Sequence, residues 1–302
     1  MVQGTQSGRL KLADMVLEYV KAKSKNARTG KAYATELIQF LTLTRKVYAD
    51  ELTRTDFRAY VLSLEKTAKS PKTIHNRLTT LKAFLNFHDL DASVVNRKDW
   101  PKVPKKLVKK FNPQQIAALL DASGLEDRII WEFFLASGCR EQEVMFCCWS
   151  DLDLDGEWLH IQAKPKLGFQ LKDYEERSVP LPRAMVEKLK AHKAKAGKGQ
   201  LVFPAPSGRP NGHFLRRLKE IAYTAGLNCQ HCTNRVGVAC SGAAVCSVWQ
   251  LHSFRRTAAT GWAEKGISLP TIQKWLGHSD ITTTSLYLGT QEDVTARELL
   301  NR

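Results

Sequence analysis

The N-terminal part of the chain places apolar residues three or four positions apart and fills the intervening positions with polar residues. This spacing is typical of amphipathic helices, each with one apolar face. It predicts helices over 10–23, 29–48, 53–66 and 71–90. Pro71 fits the first turn of the last helix, where a backbone N–H has no partner within the helix. Together the four segments predict a small helical bundle.

The pattern changes after residue 111, where short alternating stretches interrupt the helical ones. The helical spacing continues in five segments, 112–123, 126–138, 182–195, 211–226 and most of 250–302. The stretches 157–164 and 176–182 instead predict two strands joined by a turn region. The predicted fold class is therefore mainly α with a small antiparallel sheet, an α+β arrangement.

A basic segment with several prolines separates these two regions. Residues 91–113 contain three prolines and seven lysines or arginines without sustained periodicity. This composition predicts an extended linker at 93–111, between a helical domain at 1–92 and a second domain at 112–302. Its charge would suit a path along a DNA backbone, although a linker exposed only to solvent would be basic too.

Positive charge is concentrated in the N-terminal third of the chain. The net charge is +16, and residues 1–110 carry 23 lysines and arginines against 10 acidic residues. This distribution is the electrostatic footprint of a protein that binds nucleic acid. The alternative is a surplus of charge that serves only solubility.

Several classes of protein are excluded by features that the sequence lacks. No apolar run approaches the roughly 18 residues of a membrane span, and the N-terminus has no secretion signal. The phosphate-binding pattern GxxxxGK[ST] and the zinc-protease pattern HExxH are both absent. We therefore expect a cytoplasmic protein without membrane contact.

Four of the seven cysteines form a cluster with the spacing C-x2-C-x7-C-x5-C, at Cys229, Cys232, Cys240 and Cys246. Four thiolates at such spacings suit a closed, structural zinc site, with His231 as a possible substitute ligand. Four reduced cysteines in a loop are the alternative. The odd total and the missing secretion signal argue against disulfides. The other three lie in apolar surroundings and are predicted to be core residues, at Cys139, Cys147 and Cys148.

Residues able to act on a phosphodiester occur in three short segments. Arg140 and Glu143 lie in ASGCREQEV, three positions apart, which would make them neighbours on one helical face. Two further segments supply a histidine with an arginine and a histidine with a tyrosine, LHSFRR (His252, Arg255) and LGHSDITTTSLY (His278, Tyr287). A guanidinium binds two phosphate oxygens at once, and a deprotonated tyrosine is a nucleophile. Singly, such residues are more often surface ion pairs or core histidines.

In this order and spacing, the three segments resemble the tyrosine recombinase or phage integrase family. The resemblance covers about 112–290 and the preceding bundle. It implies a helical, SAM-like core-binding domain followed by a tyrosine-recombinase catalytic domain. The cysteine-rich insertion at about 228–247 is not typical of the family, although some integrase-like relatives carry one. It ends six residues before His252, so a metal there would brace the chain entering the catalytic helix.

The resemblance also implies a role for each site residue. Arg140 and Arg255 match the family's two phosphate-clamping arginines. Glu143 matches an acidic position and would orient Arg140 or a neighbouring imidazole. These roles suit phosphoryl transfer, which needs mainly positioning and neutralisation of charge on the non-bridging oxygens.

Tyr287 matches the nucleophile of the family. Its hydroxyl has an ordinary pKa of about 10, so a base must remove the proton during attack. His252 is the expected base, and His278 is expected to hydrogen-bond the scissile phosphate. The implied reaction forms a 3′-phosphotyrosyl link and releases a 5′-hydroxyl, and a second 5′-hydroxyl then attacks that link. No metal or nucleotide cofactor is implied for catalysis.

The leaving 5′-oxygen needs a proton, which the family supplies from a lysine in a β-hairpin. Lys164, Lys166 and Lys172 lie in the hairpin region here. Lys164 ends the first predicted strand and is the first choice for this role. Lys172 is the second choice, and the remaining lysines would be ordinary solvated edge residues.

The resemblance finally implies partners. A site-specific recombinase binds double-stranded DNA, is a monomer alone and acts as a tetramer on synapsed DNA, and the tail at 290–302 could pack on a neighbouring copy. Such an enzyme would be associated with the prokaryotic nucleoid, often in the service of a mobile element. Two alternatives stay open, a type IB topoisomerase-like nicking and closing enzyme and a non-catalytic DNA-binding protein with this fold.

Overall fold

The computed structural model describes residues 9–24, 27–104, 110–171, 175–197 and 199–277. The chain divides into two compact units, Met1–Lys106 and Leu107–Arg302. We call them unit 1 and unit 2 and describe each by itself.

In its described residues, unit 1 contains four α-helices close to their predicted positions, α1 (Leu12–Lys23), α2 (Ala27–Thr44), α3 (Arg54–Lys66) and α4 (Pro71–Phe87). Local capping explains where two of them begin. The Asp56 carboxylate accepts a hydrogen bond from the Thr53 backbone N–H at 2.8 Å at the start of α3. Ser70 caps α4 by accepting from the Thr73 N–H at 3.2 Å. The predicted helical N-terminal domain is confirmed.

Aromatic side chains fill the core of unit 1. Phe40 of α2 stacks on Phe57 of α3 with ring centroids 4.8 Å apart, and Tyr19 of α1 meets Phe84 of α4 edge to face at 5.6 Å. Such pairs add to the stabilisation that burial of the rings supplies. The apolar faces inferred from the spacing are thus the faces that meet.

Part of the segment predicted as an extended linker belongs to unit 1 and packs against its helices. Residues 92–94 and 97–99 form single 3-10 turns, and Val95 between them is buried. Asp99 receives Arg54 of α3 in an ion pair of 2.7 Å. A segment without helical or strand periodicity can therefore still be held by one apolar anchor and one ion pair.

Unit 2 combines seven helices with a small sheet in its described residues. The helices are α5 (Pro113–Asp121), α6 (Leu125–Ser137), α7 (Glu141–Met145), α8 (Arg183–Lys195), α9 (Phe214–Thr224), α10 (Leu251–Glu264) and α11 (Leu269–Leu276). The strands β1 (Leu152–Asp153), β2 (Trp158–Ile161) and β3 (Arg177–Pro180) are antiparallel in the order β1-β2-β3. Leu159 pairs with Val179 across β2 and β3. The predicted α+β class is confirmed, and α7 and β1 are additions to the prediction.

The packing of α6 against α10 forms the centre of unit 2. Trp131 of α6 stacks on Phe254 of α10 with ring centroids 5.7 Å apart and an angle of 6°. Gly138 ends α6 with φ of 59°, and a Cβ there would lie 2.9 Å from the Trp262 ring of α10. A glycine is therefore required at this turn. The turn delivers the chain to Arg140 beside α10.

Within the described ranges, none of the helices combines the length and the apolar composition that crossing a membrane requires.

Candidate active site

Arg140 and Glu143 meet at the start of α7. Arg140 is the N-cap residue of this short helix, and its backbone N–H donates to Glu143 Oε2 at 2.7 Å. Its guanidinium also donates to Glu143 Oε1 at 3.1 Å. The two residues are therefore joined as a helix cap, and not as neighbours on one helical face as the spacing predicted. The carboxylate fixes both the backbone and the side chain of Arg140.

Arg255 is buried in α10, with 1% of its surface exposed. Its Nη1 donates to the Gly138 carbonyl at 2.8 Å, and its Nη2 donates to the Leu276 carbonyl. Desolvation, followed by the positive charge of Arg140, lowers the pKa of Arg255 to about 10. The group therefore remains cationic at neutral pH.

Arg177 is a third arginine of the site and, like Arg255, is buried; sequence reasoning missed it. It begins β3, and its side chain is 5% exposed. Its Nη2 donates to Glu143 Oε2 at 2.7 Å, and its Nε donates to the Trp275 carbonyl at 2.7 Å. The sequence feature that could have revealed Arg177 is its position in the strand, because Arg177 and Val179 both face inward on β3. A charge on the inward side of a strand needs a buried partner.

The three guanidinium groups converge on the last carbonyls of α11. The donor and acceptor pairs are Arg177 with Trp275 (2.7 Å), Arg255 with Leu276, and Arg140 with Gly277 (2.8 Å). Carbonyls at a helix C-terminus lack partners within the helix and carry partial negative charge, so cations stabilise them. We call these three arginines and Glu143 the arginine cluster. It holds the end of α11 directly before residue 278.

The charge balance of the arginine cluster suits an anion. Burial by itself would raise the pKa of Glu143, but Arg177, then Arg140 and Arg255, lower it to about 2. Glu143 is therefore ionised at neutral pH. Three cations around this carboxylate leave an excess of positive charge in the described part of the site, and a phosphate would offset it.

His252 lies in the first turn of α10, three residues before Arg255, and its side chain is exposed. The structure therefore brings this predicted base onto the helix that carries one arginine of the cluster. His278 and Tyr287 lie outside the described residues.

Lys164, the first choice for the proton donor, is held in the hairpin. Its Nζ forms an ion pair of 2.9 Å with Asp151, and the lysine side chain is 15% exposed. Asp151 is itself buried and accepts a hydrogen bond from the Cys148 N–H at 2.7 Å. The backbone of Lys164 pairs with Phe169 and closes a tight turn. These contacts tie Lys164 to the sheet, and Lys172 lies outside the described residues.

The four clustered cysteines converge in space. Their sulfur-to-sulfur distances include 3.7 Å for Cys229 and Cys240, 3.8 Å for Cys232 and Cys246, and 3.6 Å for Cys229 and Cys246. A tetrahedral zinc with bonds of roughly 2.3 Å would separate its sulfurs by about 3.8 Å. The arrangement therefore matches the size of a zinc–sulfur tetrahedron. All seven cysteines are free thiols, and the other three are buried, as predicted, at Cys139, Cys147 and Cys148.

The segment 229–246, which we call the cysteine knuckle, is connected to α10 through Trp249. The indole is 1% exposed and donates to the Leu227 carbonyl at 3.2 Å. Its ring lies against Phe111, with centroids 5.1 Å apart, and Phe111 in turn meets Phe254 of α10 at 5.0 Å. A shift of the cysteine knuckle would therefore displace α10, the helix that carries His252 and Arg255.

Comparison with family models gives two matches that together span most of the chain. Residues 107–293 match the model described as the phage integrase family, and residues 12–91 match its N-terminal SAM-like domain. The chain belongs to the phage integrase family. The resemblance inferred from the three motif segments is confirmed. With it, the prediction of a tyrosine-type enzyme that cuts and rejoins DNA is confirmed as well.

Curated relatives and solved structures agree with this assignment. Tyrosine recombinase XerC of Chlamydia muridarum (strain MoPn / Nigg) is 28% identical over 248 residues, which are 78% of this chain and 72% of that protein. Tyrosine recombinase XerD of Bifidobacterium longum (strain NCC 2705) is 25% identical over 278 residues, covering 86% and 85%.

Among solved structures, the Tn1549 transposon integrase bound to transposon right end DNA superposes with a TM-score of 0.71 and 16% identity, covering 92% of this chain and 94% of that one. A lambda integrase tetramer bound to a Holliday junction gives 0.67 and 17%, covering 93% and 78%. At these identities the solved structures establish a shared fold. The two curated relatives are tyrosine recombinases and do not favour the topoisomerase-like or non-catalytic alternatives.

Proposed function

We propose that this protein is a site-specific DNA recombinase that cuts duplex DNA through a 3′-phosphotyrosyl link to Tyr287. The observation that carries the proposal is the arginine cluster, which places Arg140 and Arg255 on neighbouring carbonyls beside a buried carboxylate. Two fixed guanidinium groups can bind the non-bridging oxygens of one phosphate and stabilise the charge that develops there. Glu143 keeps Arg140 in the orientation that this binding needs.

In the proposed first step, the Tyr287 oxygen attacks the scissile phosphorus and the bond to the 5′-oxygen breaks. His252 takes the phenolic proton, and His278 donates a hydrogen bond to the phosphate. A lysine gives a proton to the departing 5′-oxygen. A 5′-hydroxyl from a second strand then attacks the phosphotyrosine, so the number of phosphodiester bonds is unchanged. These steps use groups of the protein and DNA alone.

We assign the proton donor to Lys172, the second choice from the sequence. Lys164 forms a mostly buried ion pair with Asp151. Donating the proton of Lys164 would leave the buried carboxylate without its cation.

A substrate with sulfur in place of the bridging 5′-oxygen tests this assignment, because a thiolate leaves without a proton. With the ordinary substrate, Lys172→Ala should slow cleavage strongly and Lys164→Ala should not. With the sulfur substrate, Lys172→Ala should recover the wild-type rate. The reverse pattern would return the role to Lys164.

We also propose that the cysteine knuckle binds one structural zinc ion through Cys229, Cys232, Cys240 and Cys246. The near-tetrahedral spacing of the four sulfurs supports it. A backbone N–H of Ser247 donates to Cys232 Sγ at 3.2 Å and stabilises the thiolate form. The zinc would brace the chain that enters α10 and would take no part in the reaction.

Metal analysis of protein purified without chelator tests the zinc proposal. The expected result is about one zinc per chain, which a Cys229→Ser/Cys232→Ser variant loses. Cys148→Ala, outside the knuckle, is the matched control and should retain the metal. A metal-free protein with wild-type activity would contradict the proposal.

The proposed partners are double-stranded DNA and three further copies of the chain. The lambda integrase structures include a dimer on a core site and a tetramer on a Holliday junction, and we propose a tetramer on synapsed DNA for this protein, with a monomer in its absence. The segment 290–302 would pack on a neighbouring copy. The proposed setting is the bacterial cytoplasm and nucleoid, and the proposed biological role is movement of a genetic element.

A nicked suicide substrate tests the proposed function. Because the target sequence is unknown, the substrate is a pool of labelled duplexes randomised across the binding site, each with a nick beside the cut position. Wild type should form a covalent adduct with selected duplexes. Those duplexes should then recombine with each other, which a topoisomerase-like enzyme would not do. Relaxation of supercoils without strand exchange would favour the alternative.

A further inference from the structure

We infer that Arg177 is a positioning residue of the strand-transfer site, which sets Glu143 against Arg140 and fixes the turn at Gly277 from which the chain continues to His278. This inference rests on the proposed function, since it concerns the same site. Arg177 belongs to none of the three motif segments that indicated the chemistry. Its surroundings assign the role.

The first observation is that Arg177 joins two parts of the site with one side chain. Nη2 donates to Glu143 Oε2 and Nε donates to the Trp275 carbonyl, each at 2.7 Å. The same oxygen of Glu143 accepts the Arg140 N–H at 2.7 Å. A displacement of Arg177 would therefore move the carboxylate that orients a phosphate-binding arginine.

The second observation is a close approach between Arg177 and the turn after α11. Gly277 has φ of 61°, and a Cβ at this position would lie 3.0 Å from Arg177 Cδ and 3.2 Å from its Nε and Nη1. The turn therefore needs glycine for its backbone angle and also for the space that Arg177 fills. The side chain therefore fixes the turn at Gly277, the last described residue before His278.

Arg177 and Glu143 are both buried. The side chains of Arg177 and Glu143 are 5% and 3% exposed, and the guanidinium of Arg177 is held by Glu143 and by the Trp275 carbonyl. Well-packed apolar side chains often stabilise a core as much as a buried ion pair does, because it is costly to remove both charges from water. Stability alone therefore does not account for an arginine here, whereas orientation of Glu143 and Gly277 does.

Cleavage rates of two Arg177 variants across pH test this role. Arg177→Met should lower the single-turnover rate of adduct formation on the order of 100-fold, the effect of small misplacements in a site. Duplex binding in a gel shift should stay near wild type, because the DNA contacts are intact.

A purely structural role of Arg177 would leave the acid limb of the pH–rate profile for cleavage unchanged. The charged and titratable groups facing Glu143 are Arg140, Arg177, Arg255 and the thiol of Cys139. Loss of Arg177 raises the pKa of Glu143. The acid limb of the pH–rate profile of Arg177→Met should therefore be steeper and lie at higher pH. Arg177→Lys keeps a buried cation and should restore the wild-type limb with part of the rate. A wild-type rate of adduct formation in Arg177→Met would overturn the inference.

A matched pair of glycine variants gives an independent test that keeps Arg177. Gly277→Ala and Gly266→Ala both place a side chain at positive φ, at 61° and 80°, but a Cβ at Gly266 meets nothing within 4 Å. Both variants carry the strain of a positive φ, Gly277→Ala adds the close contact with Arg177 and should lower the melting temperature more, and Gly277→Ala alone should slow cleavage. Equal cleavage rates in the two variants would overturn the inference.

The outcomes separate this inference from the proposed function. If wild type forms the adduct and the Arg177 and Gly277 variants match it, the positioning role fails and the recombinase assignment stands. If wild type forms no adduct with any duplex in the pool, both fail.

Discussion

The arginine cluster and the cysteine knuckle flank the same helix, α10, and are built in opposite ways. The knuckle takes its four sulfurs from one segment, 229–246. The arginine cluster takes its groups from α7, β3, α10 and the end of α11, with 117 residues between Arg255 and the Gly138 carbonyl that it binds. A local site can form with its own loop and a bound metal. A dispersed site requires the whole unit to fold, and it can therefore be disrupted from any of its elements.

We expect the largest effect on the rate of DNA cleavage, from a substitution within the arginine cluster. Arg255→Lys keeps one positive charge but cannot make both hydrogen bonds, to Gly138 and to Leu276. Loss of a fixed donor to the phosphate should slow adduct formation roughly 100- to 1,000-fold. Single-turnover cleavage of a selected nicked duplex measures it. Arg256→Lys, one position along α10, is the matched control, and equal losses in both would contradict the assigned role of Arg255.

The second effect is on stability, from loss of the buried carboxylate. The pKa of Glu143 lies near 2 instead of 4.5, so its ionised form favours the folded state by about 3 kcal/mol. This stability is fully present above pH 4.5 and is lost as pH falls toward 2. Glu143→Gln should lower the free energy of unfolding at pH 7 by about 3 kcal/mol and remove that part of the acid dependence. Denaturant melts at several pH values measure both.

Glu132→Gln is the control for this prediction. Glu132 pairs with Arg128 and Lys188, whose side chains are 42% and 49% exposed, and such surface pairs contribute at most about 1 kcal/mol. A loss in Glu143→Gln no larger than in Glu132→Gln would show that the buried carboxylate does not stabilise unit 2.

The third effect links the two sites and should be smaller. The Cys229→Ser/Cys232→Ser variant would lose the proposed zinc and act on α10 through contacts that include Trp249 and Phe111. We expect cleavage to slow by about tenfold, the lower end of effects from supporting residues. Wild-type cleavage by a zinc-free variant would show that the knuckle and the arginine cluster are independent.

The smallest effect on the rate of cleavage is expected from Lys164→Met. The substitution removes the ion pair with Asp151 but leaves the arginine cluster intact, so cleavage should stay within a few-fold of wild type. The free energy of unfolding should fall, by about 3 kcal/mol if the buried carboxylate stays charged. A variant that folds normally and does not cleave would place Lys164 in the reaction.

The two sites also differ in how far the sequence could predict them. The knuckle was predictable because its spacing lies within one loop. Most helices were predictable because their apolar spacing extends over several turns. The helix α7 and the strand β1 were not, because five and two residues are too short to show a period. Arg140 was placed on a helical face because the turn at Gly138, which starts a new helix, does not show in a three-residue spacing.

Arg177 could be predicted only in part. The alternation in 176–182 indicated a strand, and the inward register of Arg177 with Val179 was available from that pattern. Its partners were not, because Glu143 and Trp275 lie 34 and 98 residues away in the chain. Similarly, the strand predicted over 157–164 ends at Ile161, and the turn that follows directs Lys164 toward Asp151. Contacts of this kind depend on tertiary packing and leave no local signal.

The assignment of Tyr287 as the nucleophile is tested most directly by identifying the residue that becomes attached to DNA. Wild-type protein is trapped on the selected nicked duplexes, digested with trypsin and nuclease, and analysed by mass spectrometry. We expect a nucleotide linked through a 3′-phosphate to the peptide that contains Tyr287, and no adduct with Tyr287→Phe. Attachment to another residue, or an adduct that persists in Tyr287→Phe, would contradict the assignment.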